Sequence, residues 1–595
     1  MIRRMLTSLL LLLGVSAMAT KMTSPNGKLS VTVEGQMLKV LYQQQQVLEI
    51  TESHLDASVK ELGTIKDDYQ MLTGKRSHCK NEANEYRCGH VSLRVYNDGI
   101  AFRSASPSAT TYRIPEGTRR WMQQWCDSYE GFFPLSTTYK VAPVPSYSGI
   151  SKSAEGWNNR WGYPALLEPQ KDVFALITEA NIEHGQSASC LYNDGEQFKV
   201  VEAEHLAEDA CDHTPWRVVI IGTLKDIVES TLVTDVCVPN KIADTNWIEP
   251  GVVSWIYWAY NHGSNDYSII KKYVDMAQTL HLPYVLIDAE WDDMDKLASN
   301  EGKTIEDAVA YAKSKGVKPL IWYNSSIGWV DGAPTPKFRL NKPEDREKEF
   351  AWCEKIGVAG VKIDFFSGDN QRNMDFQLDL LESAARHHLL VNFHGATIPR
   401  GWQRTWPNLM STEGVYGAEW YNNVSTFTDK AACHNATLPF TRNVIGPMDY
   451  TPCTFSDSQH PHITTHGHEL ALTVLFESGL QHLADRPESY LAQPQEVRDF
   501  LSSLPAAWDE THFIDGYPGE YVIIARRSGN KWYLAGINGT DAVKEVPLNF
   551  QGKKVTLFTD EPGKDRTWHI EKQKKTPKSI VFQPRGGFCY IWENR

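Results

Sequence analysis

Apolar and polar positions alternate with a period of two through the first part of the chain, as in Leu29-Ser-Val-Thr-Val33 and Val91-Ser-Leu-Arg-Val95, while Val218-Val-Ile-Ile221 is apolar throughout. Asn-Gly, Asn-Asp-Gly and Pro-rich turns punctuate these runs. Short strands between such turns predict a large N-terminal β-sandwich over residues 20–247. Near Pro250-Gly251 the pattern changes. Apolar runs (Val253-Ser-Trp-Ile-Tyr-Trp258, Tyr284-Val-Leu-Ile-Asp288, Val317-Lys-Pro-Leu-Ile-Trp322, Val358 to Phe366, Leu389-Leu-Val-Asn-Phe393) now alternate with amphipathic stretches around 266–280, 304–315, 343–355 and 373–387. Repeated βα units of this length predict a (β/α)₈ TIM-type barrel over 248–505 rather than an open sheet. Strand periodicity returns in Tyr521-Val-Ile-Ile-Ala525, Trp532-Tyr-Leu-Ala535, Val555-Thr-Leu-Phe558 and Gly587-Phe-Cys-Tyr-Ile591, predicting a small C-terminal β-sandwich over 506–595.

Arg3 and Arg4, the apolar Leu9 to Leu13 and the small-residue run Ala17-Met18-Ala19 read as a signal peptide over residues 1–19, which predicts a secreted or periplasmic protein. No later run approaches the roughly 18 apolar residues of a membrane span. A formal net charge of -13 argues against nucleic acid, whose phosphates need a basic surface. Ten scattered Cys in so long a chain are at most optional staples, of which Cys79 and Cys88 are nearest in sequence. The 19 Trp and 25 Tyr suit sugar faces as well as cores, so they raise carbohydrate as a substrate without deciding it.

In barrels of this kind the chemistry lies at the C-terminal strand ends, and here those ends are polar. The second strand ends in Asp288 and is followed by Glu290 and Trp291; the third ends in Trp322-Tyr-Asn324, the fourth in Lys362 and Asp364, the fifth in Asn392 and His394. The sixth leads into Ser411-Thr-Glu-Gly-Val-Tyr-Gly-Ala-Glu-Trp420, with Glu413 and Glu419. An ionised carboxylate at the end of a doubly covered strand is costly unless it is used or paired, which singles out Asp364. Paired carboxylates beside Trp are what glycoside hydrolysis requires. Asp364 is read as nucleophile and Glu419 as general acid/base, with Lys362, Asp288, Trp291, Trp322 and His394 around the sugar. His462, His466 and His468 have the look of a zinc cluster, but histidines at a helix start are more often solvated.

Lys362-x-Asp364, Ser411 to Trp420, Asn443-Val-Ile-Gly-Pro-Met-Asp-Tyr-Thr-Pro452 and Phe476-Glu-Ser-Gly-Leu-Gln-His-Leu-Ala-Asp485 together resemble glycoside hydrolase family 97 over nearly the whole chain. That family holds inverting α-glucosidases, which carry a Glu base at the end of strand five, and retaining members, which carry an Asp nucleophile on strand four. Asn392-Phe-His-Gly395 has no Glu, and strand four supplies Asp364. The resemblance therefore implies a retaining exo-acting α-galactosidase working through a glycosyl-Asp364 intermediate. It also implies a calcium ion, with Glu413 matching a family ligand, Glu179 of Leu176-Ile-Thr-Glu-Ala-Asn181 as the candidate ligand from the sandwich and Asn392 as a third. The alternatives are an inverting α-glucosidase on maltooligosaccharides, a non-catalytic glycan-binding protein, and action on β-L-arabinopyranosides. Aglycone, linkage and oligomeric state stay open.

Overall fold

The computed structural model describes residues 21–139, 159–203, 211–260, 263–422, 424–457, 460–564 and 566–593. The leader expected at 1–19 lies outside the described residues. The N-terminal region is a sandwich of an eight-stranded and a nine-stranded sheet, both antiparallel in their pairings. The period of two is the cause. In Val91–Tyr96 the side chains of Val91, Leu93 and Val95 are buried while Ser92 and Arg94 face outward. Trp216–Gly222 is buried along its whole length because it lies between Val173–Ala180 and Gly99–Arg103.

Among the described residues, seven parallel strands form the barrel: Gly251–Trp255, Tyr284–Ile287, Lys318–Asn324, Gly360–Asp364, Leu390–Phe393, Leu409–Thr412 and Leu480–Leu483. They pair in chain order, and the last returns to pair with the first. The TIM-type barrel expected from the sequence is present, with one difference in count. In the place between the sixth strand and Leu480–Leu483 runs an irregular segment, where the Asp449 N–H donates to the Thr412 carbonyl (3.1 Å) and the Met448 N–H to the Glu477 carbonyl (2.9 Å). Pro447 has no N–H to give a ladder, and Gly446 sits at φ +145°, so this segment closes the barrel without becoming a strand.

Helix ends follow their capping residues. Asp266 accepts from the N–H groups of Ser268 and Ile269 at the start of Tyr267–Thr279, and Thr304 forms a capping box with Asp307 ahead of Ile305–Ser314. Pro343 opens Pro343–Ile356 and Gly357, at φ +94°, ends it. The C-terminal region is a six-stranded antiparallel sheet with a separate two-stranded ribbon, Lys544–Pro547 with Ser579–Phe582. It packs on the barrel through helix His466–Leu475, where a Cβ on Gly467 would come within 2.5 Å of the Gly587 carbonyl oxygen. The three histidines there go separate ways: His462 to Asp457, His468 to Asn435, and His466 against Trp568. All ten Cys are free, and no helix among the described residues is long and apolar enough to cross a membrane.

Candidate active site

The strand C-termini open into a cavity of about 450 Å³ lined by Asp288, Trp322, Lys362, Asp364, His394, Glu413 and Glu419, among others. Parallel register explains the convergence. Trp322 pairs with Lys362 and Lys362 with Asn392, so equivalent positions of neighbouring strands stand at one level. On the floor, the Lys362 ammonium lies 3.2 Å from an Asp288 oxygen that also accepts from the Trp255 indole (2.6 Å). Burial opposes the Lys362 charge, but Asp288, Asp364 and Glu419 hold it protonated.

Asp364 is buried and held at both oxygens, by the Trp322 indole N–H (3.1 Å) and by the Phe365 N–H (2.8 Å). Burial pushes its carboxyl up to about 7, with Glu419 adding to the rise and Lys362 opposing it. Glu419 accepts from the Trp258 indole at 2.9 Å. Glu413 accepts from the Gly395 N–H (2.6 Å) and lies 3.1 Å from His394 Nδ1, which is itself 3.7 Å from Asp364. Burial, then the positive charge of Lys362, keeps the His394 imidazole well below its usual range and hence neutral.

The sandwich contributes a further carboxylate that sequence reasoning missed. Glu130 lies in the turn between strands Arg119–Trp121 and Leu135–Ser136, yet it lines the barrel cavity. Its oxygens accept from the Trp420 indole (2.7 Å) and the Ser128 hydroxyl (2.6 Å). Burial pushes Glu130 up to about 8, and Glu419 and Asp364 add to the rise. Burial likewise drives Glu413 well above the usual carboxylate range, with Glu130 the largest of the charges acting on it. Nothing in the run Trp125-Cys-Asp-Ser-Tyr-Glu-Gly-Phe-Phe133 marks Glu130 as a site residue; an acid set among buried aromatics (Tyr129, Phe132, Phe133) is the one available signal.

A barrel mouth with paired carboxylates is the geometry of glycoside hydrolysis, and comparison with known proteins decides which kind. Residues 247–415 match the family model described as Glycoside hydrolase 97, residues 22–239 its N-terminal model, and residues 507–592 its "C-terminal, oligomerisation" model. The chain belongs to glycoside hydrolase family 97. It is 34% identical over 512 residues to a "Probable retaining alpha-galactosidase" of Streptomyces bingchenggensis, covering 83% of this chain and 73% of that relative. It is 28% identical over 575 residues to a "Retaining alpha-galactosidase" of Bacteroides thetaiotaomicron, covering 84% and 82%. Among solved structures, a beta-arabinopyranosidase superposes with a TM-score of 0.81 at 27% identity, covering 96% of this chain and all of that one.

Within this family 97 site, three residues expected there stand elsewhere. Glu179 is fully buried inside the sandwich, where Arg400 (2.7 Å) and Arg217 (2.8 Å) neutralise it and the Ser189 N–H donates to it (2.9 Å). With its charge spent on two arginines it is not free to hold a metal; Glu130 is the carboxylate the sandwich sends to the cavity. Asn392 is not among the residues lining the cavity and donates to Asp449 (2.6 Å). Trp291 is turned out of the cavity, donating to the Trp322 carbonyl (2.7 Å) and stacking on Trp352. An amphipathic indole satisfied by packing has nothing left to present to a sugar. Trp258, Trp329 and Trp420 line the cavity instead.

Ligand atoms of His394, Glu413 and Glu419 lie within 4.8 Å of one another. Glu130, Asp288, Glu290, Asp364, Glu413 and Glu419 make six carboxylates lining a cavity whose only lysine among the described residues, Lys362, is already paired with Asp288. An oxygen-rich, uncompensated set of this kind fits a hard divalent cation.

Proposed function

We propose that this protein is a retaining, exo-acting α-galactosidase that depends on calcium and acts outside the cytoplasm. The observation that carries the reading is the position of Asp364 at the end of strand four beside a strand-five end, Asn392 to Gly395, that offers no carboxylate to activate water. The similarity to two relatives named retaining alpha-galactosidases supports the substrate. The leader-like Met1 to Ala19 supports export.

In the first step an Asp364 oxygen attacks C1 of the α-galactoside and the bond from C1 to the leaving oxygen breaks. Glu419 gives its proton to that oxygen. A β-linked glycosyl ester remains on Asp364. In the second step Glu419, now ionised, takes a proton from water; the water oxygen attacks C1, and Asp364 leaves as a carboxylate with α-galactose released. Lys362 and Asp288 on the floor donate to and accept from ring hydroxyls. Glu413 and Glu130 would hold the calcium ion, which would supply positive charge that favours the ionised form of Asp364, and Glu419 stays free for proton transfer. For Asp364 this matters directly, because burial raises its carboxyl and favours the protonated form over the ionised nucleophile.

Likeness to a beta-arabinopyranosidase favours a second substrate, β-L-arabinopyranoside, which presents the same ring hydroxyls without the hydroxymethyl group. Turnover of the 4-nitrophenyl α-galactoside, α-glucoside and β-L-arabinopyranoside, with the first-formed anomer followed by proton NMR, tests both. Galactoside turnover with α-galactose appearing first is expected. A β-anomer first, or preference for glucoside, would refute the reading.

A further inference from the structure

We infer that Asp369 is a positioning residue that latches the sandwich turn carrying Glu130 onto the barrel and so sets the affinity of the cation site. The inference rests on the calcium reading above. Asp369 is buried in the loop that follows the Asp364 strand, five positions beyond the nucleophile. Each of its carboxylate oxygens takes two hydrogen bonds, and the two pairs come from different regions. One oxygen accepts from the Trp125 indole (2.8 Å) and the Tyr129 hydroxyl (2.7 Å), both in the sandwich turn that bears Glu130. The other accepts from the Thr397 hydroxyl (2.6 Å) and Arg400 (3.0 Å), in the loop after the fifth barrel strand, which also carries His394 and Gly395.

The turn needs holding. Tyr129 lies at φ +57°, a left-handed backbone that a bulky side chain adopts only when its surroundings impose it. Its hydroxyl bond to Asp369 is such an imposition, and the next residue is Glu130. Released from Asp369, Tyr129 would relax toward an ordinary backbone and carry the Glu130 carboxylate away from Glu413. The latch thus joins three segments, those of Glu130, Asp364 and His394–Gly395, around one acid that itself touches neither sugar nor ion. Residues that orient ligands in this way affect metal affinity by roughly 10–100-fold.

Asp369→Asn keeps the shape but turns an amide N–H₂ toward two donors, and Tyr129→Phe removes the hydroxyl that donates to Asp369 (2.7 Å) and accepts from Arg400 (3.2 Å), with little change in volume. Calcium affinity of the chelator-stripped full-length enzyme is read directly, by terbium luminescence excited through tryptophan and displaced by calcium. Asp369→Asn should weaken calcium by about tenfold or more and Tyr129→Phe by severalfold, with kcat at saturating calcium returning to within about threefold of wild type. Unchanged calcium affinity in folded Tyr129→Phe protein, or a kcat that calcium does not restore, overturns the latch. Wild-type protein that takes up no calcium would sink the cation reading itself and the latch with it.

Discussion

The buried carboxylates near the junction of sandwich and barrel are of two kinds, and they differ in what neutralises them. Glu179 sits between Arg217 and Arg400 with a serine N–H at one oxygen, so its charge is balanced on the spot. Glu130, Glu413, Glu419 and Asp364 share a cavity with Lys362, which belongs to Asp288, and burial lifts Glu130, Glu413 and Asp364 above the carboxylate range. Burial alone does not distinguish a structural acid from a working one. The count of nearby cations does. The sharpest way to break this division is Asp364→Gly, which should lower hydrolysis by about 10⁴-fold or more while added azide restores turnover and gives a β-galactosyl azide. Product of the α configuration, or no effect on hydrolysis, would move the chemistry away from this acid.

Matched substitutions on the two sides should separate stability from activity. Glu179→Gln removes the acid that Arg217 and Arg400 share and leaves them only Glu202 and Asp369 as partners, and breaking such a buried pair costs up to about 3–5 kcal/mol. Its denaturation midpoint should fall, with kcat of the folded protein near wild type. Glu130→Gln removes one of several crowded, unbalanced acids, so its denaturation midpoint in chelator should hold or rise, while calcium affinity falls by more than the roughly 10–100-fold that loss of an orienting neighbour costs. Denaturant titration and calcium-dependent kinetics measure both. If Glu179→Gln lost calcium and Glu130→Gln lost stability, the two acids would have to exchange roles.

The sequence carried the architecture because periodicity reports burial, and burial is what layers a fold. Strand and helix limits around Asp266, Thr304, Pro343 and Gly357 followed from capping chemistry that is local to the chain. The barrel's irregular seventh place was foreseeable in principle from Gly446-Pro447, but a strand count taken from repeating units passes over one broken member. For the site, Lys362, Asp364, Glu413 and Glu419 were legible since strand ends in a barrel converge by topology. Glu179 was misplaced for a related reason: its neighbours Leu176, Ile177 and Ala180 mark it correctly as buried, but the arginines that neutralise it come from 38 and 221 residues away. Glu130 was missed because a turn on one domain reaches the cavity of another only through tertiary docking. Trp291 shows the limit for aromatics, where position next to a strand end says nothing about which way the ring turns.

The smallest effect expected of the unbalanced cluster is on thermal stability, and its sign is fixed by the direction of the shifts. Asp364 stands at about 7 against an ordinary 3.8, and Glu130 at about 8 against 4.5, so in the cation-free protein both keep protons that the unfolded chain has already lost. The stability they contribute is fully present below about pH 4 and is lost as pH rises through 7 and 8. Calcium needs the same oxygens ionised, so its binding releases those protons and strengthens over the same interval. Chelated enzyme should therefore melt at progressively lower temperature between about pH 5 and pH 8.5, and added calcium should cancel the decline, opening a gap of about 1 °C per kcal/mol for a chain of this length. Glu130→Gln takes one titrating group out of the cluster and should flatten the chelated curve. Parallel curves with and without calcium across that range would mean the cavity's acids are not the uncompensated set that separates them from Glu179.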